Sequence, residues 1–245
     1  MGERILLKLT SCDTEGVAEK VATFVTTNQQ GYCIPINVTK YSMAVKDPKL
    51  RRSIESASFL VPDGLPITWL AKRVTKRSVK RVTGVDLAQE CLRFAHERNW
   101  SVFLLGASEE SVSKAAASLT TRYPGVSHIG YRNGFYEDSD LTTIVDQLNE
   151  FNPDLLLLGM GLPQKEYFVH DYISRLNCRF CITVGGAFDI WSGSKARAPR
   201  LVQKLGMEWA FRSCSNPGKT IELVRHGSTF AADLFFGRRP DIQLL

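Results

Sequence analysis

Short apolar runs alternate along this chain with longer segments in which apolar residues recur every three or four positions. The runs are Arg4–Leu9, Tyr32–Asn37, Ser58–Pro62, Val102–Leu105, part of Ser127–Tyr136, Leu155–Leu158 and Phe180–Val184, and their length and flanking Gly/Pro residues predict strands. Between them, Glu15–Asn28 places Val17, Val21, Phe24 and Val25 on one helical face. Helical periods recur over Ser42–Ala57, through Trp69, over Leu87–Arg98, from Ser108 to about Arg122 and over Leu141–Phe151. Strands spaced by helices of this length predict an α/β fold: a largely parallel sheet flanked by helices, a Rossmann-like core. After Asp189 the pattern contains helices alone, so residues 1–194 are expected to form the core and residues 195–245 a C-terminal helical appendage.

The ends of the strands carry the candidate chemistry. One run delivers a carboxylate on a Pro/Gly-punctuated turn, Val61-Pro62-Asp63-Gly64. Others stop at glycine: Gly106, Gly159-Met160-Gly161 and Gly185-Gly186. In an open α/β sheet such carboxyl ends face one crevice, where ligands bind. A carboxylate at the mouth of a buried strand is costly unless it is paired or at work, and amides freed by glycine at a helix start bind anions. No segment reads as a P-loop, and Gly159-Met160-Gly161-Leu162-Pro163-Gln164 lacks the third glycine of a dinucleotide fingerprint.

Composition narrows the class without fixing it. With 245 residues, 44% of them hydrophobic, the chain can bury a substantial core. Its net charge of +6 is uneven: from Lys195 onward nine Lys/Arg face four Asp/Glu. Six scattered cysteines and the lack of a signal-peptide pattern point to a reducing, cytoplasmic protein. No apolar stretch is long enough to span a bilayer, and neither a myristoylation nor a prenylation pattern is present. Cys178-Arg-Phe-Cys181 has redox spacing but runs into a strand instead of opening a helix. Asp138-Ser139-Asp140 precedes a helix and reads as its cap, not as a metal-binding Asp-x-Asp. His96, His128, His170 and His226 have no ligand spacing, so no metal site is expected. A pI of about 9.0 brings no nucleic-acid motif with it.

Several of these segments occur together, in order, in one family. They are Val61-Pro-Asp63-Gly64, Arg81-Val-Thr-Gly84-Val-Asp86, Leu104-Leu-Gly106-Ala, Gly159-Met-Gly161-Leu-Pro-Gln164-Lys-Glu166, Val184-Gly-Gly-Ala-Phe-Asp189, Arg197-Ala-Pro199 and Gln203–Arg212. Over residues 15 to 225 the chain resembles the WecG/TagA/CpsF glycosyltransferases of bacterial surface-polysaccharide synthesis. The resemblance implies transfer, with inversion, of a sugar such as N-acetylmannosamine or glucose from a UDP-sugar to a polyprenyl-diphosphate-linked saccharide, without a cofactor or tightly bound metal. It makes Asp63 the catalytic base and places Asn37 and Arg81 around the sugar and diphosphate. Phe135 stands beside the uracil, and Gly84, Gly106, Gly161, Gln164, Gly185, Gly186 and Asp189 complete the nucleotide pocket. Arg197, Arg212, Lys219 and Arg225 of the appendage would supply further charge. The chain departs from the family at Asn216-Pro217-Gly218-Lys219, where many relatives have Glu-Pro-x-Arg, and at Pro35, where some carry a hydroxyl residue.

The tail combines Ile221, Val224, Phe230, Leu234, Phe235 and Phe236 with Arg225, Arg238 and Arg239, a mixture that suits an anionic membrane surface. The expected protein is therefore peripheral on the inner face of the cell membrane, and a homo-oligomer is compatible with the sequence. Two other classes remain open: a non-catalytic nucleotide-sugar-binding or assembly protein on the same fold, and an NAD-linked oxidoreductase. Asp63 argues against the first and the incomplete glycine fingerprint against the second.

Overall fold

Every apolar run named above enters one parallel sheet. The computed structural model describes residues 4–204, 206, 208, 211, 225–228, 230, 231 and 240–245. Its strands are β1 (Leu6–Leu9), β2 (Gly31–Ile36), β3 (Phe59–Pro62), β4 (Val102–Gly106), β5 (Ile129–Arg132), β6 (Leu155–Gly159), β7 (Phe180–Thr183) and β8 (Asp241–Leu244). They lie in the order β5-β4-β6-β7-β2-β3-β1-β8, and every pairing is parallel. All carboxyl ends therefore emerge on one edge. From β4 the chain moves outward to β5, whereas from β6 it moves the opposite way to β7, so the strand order reverses between β4 and β6.

Strand alternation splits the core into two layers. Val102, Leu104, Leu155, Leu157 and Ile182 pack against α1 (Thr14–Thr26), α5 (Gly84–Arg98), α6 (Glu109–Arg122) and α9 (Ala187–Trp191). Phe103, Leu105, Leu156, Leu158 and Ile34 face α2 (Val38–Ala44), α3 (Pro48–Glu55), α4 (Leu65–Thr75), α7 (Leu141–Phe151) and α8 (Gln164–Tyr172). A parallel sheet covered on both faces explains why its strands read as unbroken apolar runs. A short helix, α10, spans Arg200–Lys204.

Three local expectations need correction. The single helix expected over Ser42–Ala57 is two, because Pro48 cannot continue a preceding helix. Asp47 instead caps α3, its carboxylate accepting from the Lys49 and Leu50 amides at 3.0 Å each. The pattern after Asp189 is not helices alone: Asp241–Leu244 is a strand, in register with Leu6–Leu9 of β1. Phe230, grouped by sequence with lipid-facing residues, is buried, its ring edge-on to Tyr41 at a centroid distance of 5.5 Å. The other apolar residues of that group, together with Arg238 and Arg239, lie outside the described residues. No helix among the described residues is long and apolar enough to cross a membrane.

Candidate active site

Asp63 is placed by hydrogen bonding on both sides of its turn. Its amide donates to the Ile36 carbonyl at 2.9 Å, and the preceding Pro62 carbonyl accepts from Val82 at 3.0 Å. Gly64 follows at φ +119°, a conformation that L side chains rarely adopt, and opens α4. The half-buried carboxylate thus borders a cavity of about 520 Å³ between the ends of β2, β3 and β7. Asn37 borders it from the start of α2, which it caps by accepting from the Lys40 amide at 3.0 Å. Arg81 borders it as well, and its guanidinium donates to the Gln203 carbonyl at 2.8 Å. Gly84, Gly185 and Gly186 complete this group, and Gly206, Glu208 and Gly227 bring the C-terminal part of the chain onto the same cavity.

The floor of the cavity holds charges that sequence reading left unassigned. Lys40 on α2 and Lys165 on α8 border the cavity with only 6% and 4% exposure, and fully buried Glu166 lies behind them. Lys40 Nζ donates to the Pro35 carbonyl at 2.8 Å and lies 2.9 Å from Glu166 Oε1; Lys165 Nζ lies 3.4 Å from Oε2. Neither Glu166 oxygen receives a donor in good hydrogen-bonding alignment, so the attraction of opposite charges is the main hold on the contact. Burial, and then the neighbouring Lys40 charge, push the Lys165 ammonium down to about 8, against the opposing pull of Glu166. Thr183, also bordering the cavity, has a buried hydroxyl with no hydrogen-bond partner.

Across the loop between β6 and α8 lies a second cavity of about 710 Å³, at the point where the strand order reverses. Gly161, Gln164 and Phe135 border it. Phe135 is 77% exposed, so a flat apolar face stands open at the rim. Burial suppresses the acidity of the neighbouring Tyr136 hydroxyl, which is hydrogen-bonded with Gln164. The glycines fall into two kinds. A Cβ at Gly161 or Gly185 would meet nothing, so packing does not demand glycine there. At Gly106 it would lie 2.4 Å from the Gly159 backbone, and at Gly84 3.0 Å from the Pro35 ring. Glycine at 161 and 185 suits the close approach of a ligand, whereas at 106 it serves strand packing.

Other residues of the expected site lie elsewhere. Gly106 borders neither cavity, its neighbour Ala107 doing so instead. Asp189 is ion-paired with Lys195, and its carbonyl accepts from Ser192 and Ser194. Arg197 is committed to Asp86 and Gln89 on α5, with Glu208 at 3.8 Å. Arg225 is exposed and borders neither cavity, and Arg212 and Lys219 fall outside the described residues. Asp140 accepts from the Glu137 amide at 3.0 Å, as a capping residue does. Cys178 and Cys181 are buried, and burial raises both thiols, Cys178 to about 12, which leaves them unreactive. Among the described residues no three His, Cys, Asp or Glu gather as a metal-binding set.

A family model described as the glycosyl transferase WecG/TagA/CpsF family matches residues 4–239. Among curated proteins, the chain is similar to an N-acetylglucosaminyldiphosphoundecaprenol N-acetyl-beta-D-mannosaminyltransferase of Bacillus subtilis. The two are 30% identical over 174 residues, 71% of this chain and 67% of the relative. A Staphylococcus aureus protein of the same description is 34% identical over 160 residues, 65% of this chain and 62% of that relative. The matched part thus spans about two thirds of those relatives' lengths.

Proposed function

Because this chain belongs to the WecG/TagA/CpsF glycosyltransferase family, we propose that it transfers a sugar, with inversion, from a UDP-sugar to a polyprenyl-diphosphate-linked saccharide. The names of the relatives favour N-acetylmannosamine as the sugar and a diphosphate-linked N-acetylglucosamine as the acceptor. The observation that carries the reading is Asp63, a carboxylate at a strand end in a cavity that also holds Lys40, Lys165 and Arg81. In the transfer, Asp63 takes the proton of the attacking acceptor hydroxyl. The new C–O bond forms on the face of the anomeric carbon opposite the departing UDP, and the leaving diphosphate gathers negative charge. The cations across the cavity suit that charge. The Phe135 cavity, across the β6–α8 loop, suits the nucleobase.

Turnover of UDP-N-acetylmannosamine with a diphosphate-linked N-acetylglucosamine acceptor tests the reading. Transfer is expected to persist in excess EDTA, because side-chain cations serve the leaving group. A complete loss restored by Mg²⁺ would show that a metal does that work. Product with retained configuration would sink the inverting role of Asp63.

A lipid-linked acceptor requires the protein to meet a bilayer. Among the described residues the surface that fits is α4, which begins beside Asp63 and carries Trp69, 61% exposed. Lys72, Arg73, Lys76 and Arg77 follow it as exposed cations, and a basic residue near an anionic surface contributes about 1 kcal/mol. The C-terminal segment, with its basic and apolar residues, is the second contact in this reading, on the cytoplasmic face. The quadruple variant Lys72→Glu, Arg73→Glu, Lys76→Glu, Arg77→Glu is expected to lose sedimentation with anionic vesicles yet retain turnover of a water-soluble acceptor. Unchanged sedimentation would leave the C-terminal segment as the sole contact.

A further inference from the structure

Three polar groups on the floor of the Asp63 cavity are arranged for a ligand that the protein alone does not supply. Lys40 and Lys165 set two positive charges against the single carboxylate of Glu166, all with less than a tenth of their surface exposed. Net charge buried in this way is costly unless a counter-charge joins it. Lys165 has one ion-pair contact among the described residues, Glu166 at 3.4 Å, although an ammonium carries three donors. The Thr183 hydroxyl, 1% exposed on the same floor, has no partner. Two residues further on, exposed Gly185 leaves the backbone there uncrowded, since a Cβ would meet nothing.

We propose that Lys165, Lys40 and the Thr183 hydroxyl form a binding site for one phosphate of a diphosphate group, with Lys165 as the cation that meets it. The glycosyltransferase reading enters only in saying which diphosphate arrives. The nucleotide donor and the lipid-linked acceptor present the same chemistry.

Binding should also move a proton. Among the described residues, the charged groups near Lys165 are Lys40 from α2 and Glu166 from α8 itself, and Asp63, Arg81 and Glu208 line the same cavity. In the free protein Lys165 gives up its proton near pH 8. A phosphate beside it favours the ammonium, so binding near that pH takes up protons and weakens as pH rises further.

Calorimetry on the full chain with pyrophosphate, UDP and uridine tests the site, using buffers of different ionisation enthalpy at pH 8. Lys165→Gln is expected to weaken pyrophosphate and UDP by about 10- to 100-fold, the worth of one charged hydrogen bond. Uridine affinity should hold and Tm should not fall, since the buried Lys165 charge opposes folding; Lys165→Arg should restore binding, and proton uptake should vanish with Lys165→Gln. Thr183→Val removes no hydrogen bond in the free protein, so it should weaken pyrophosphate without lowering Tm.

If Lys165→Gln leaves UDP binding intact but raises KM for the diphosphate-linked acceptor, the site stands and the acceptor's diphosphate is its occupant. If wild type binds pyrophosphate through Lys165 yet transfers no sugar, the site stands and the glycosyltransferase reading falls. Unchanged binding of pyrophosphate, UDP and acceptor in Lys165→Gln, or an equal loss of uridine, overturns the proposal.

Discussion

Replacing Asp63 with Asn is expected to cut sugar transfer by about 10²- to 10⁴-fold, the usual contribution of a general base, while UDP affinity and Tm stay near wild type. The amide keeps the volume of the side chain, and the backbone bonds that place the turn run through the Asp63 amide and the Pro62 carbonyl, which the substitution does not touch. The loss should fall on kcat and kcat/KM alike, the mark of an interaction made in the transition state. Initial rates with saturating donor, alongside UDP calorimetry, decide it. Activity within a few-fold of wild type would remove Asp63 as the base.

The largest effect on stability is expected at Glu166. Glu166→Leu strands two ammoniums in the protein interior, and removing one partner of a buried ion pair costs about 3–5 kcal/mol. For a chain of this size that corresponds to a fall in Tm on the order of 10 °C. The loss has a pH signature. Lys165 in the folded protein titrates at about 8, below its ordinary 10.5, so its burial opposes folding in full below about pH 8 and is relieved as pH rises from there towards 10.5. Without Glu166 that opposition deepens at low pH, and the deficit against wild type should narrow as pH rises towards and past 8; the part due to Lys40 remains. Thermal melts of both proteins at pH 6.5 and 9 measure this. A Tm within a degree of wild type at both would show that Glu166 does not hold the cluster.

That cluster also marks the limit of what could be read from the residues alone. Strands such as Leu155–Gly159 stand out because a sheet covered on both faces demands unbroken apolar runs, and their glycine ends pointed to the crevice. Asp63, Asn37, Arg81, Gly185 and Gly186, drawn from separate turns, do come together around one cavity. The helix α8 escaped notice for a physical reason: its inward positions include Lys165 and Glu166, residues that periodicity assigns to solvent because charges are almost never buried unless paired. Lys40 on α2 was hidden in the same way. Only the fold brings α2 and α8 within ion-pair distance, and no spacing along the chain records it. In Asp241–Leu244, polar residues alternate with Ile242 and Leu244 over four positions, too short a pattern to distinguish from a tail.

That last strand has a consequence in time. Leu6 of β1 pairs with Asp241 of β8, and Leu9 with Leu244, so the outer edge of β1 waits until the segment from Asp241 onward has been made. At the ordinary pace of about 5–20 residues per second, the ribosome takes on the order of 10–50 s to reach the partner. Throughout that interval β1 exposes a row of unpaired backbone groups, the kind of edge that captures strands from other chains. Arg4 and Lys8, on and beside the strand, put like charges on any two nascent copies that meet there. Misassembly during synthesis should therefore rise when those two charges are removed, even where the finished protein melts at the same temperature.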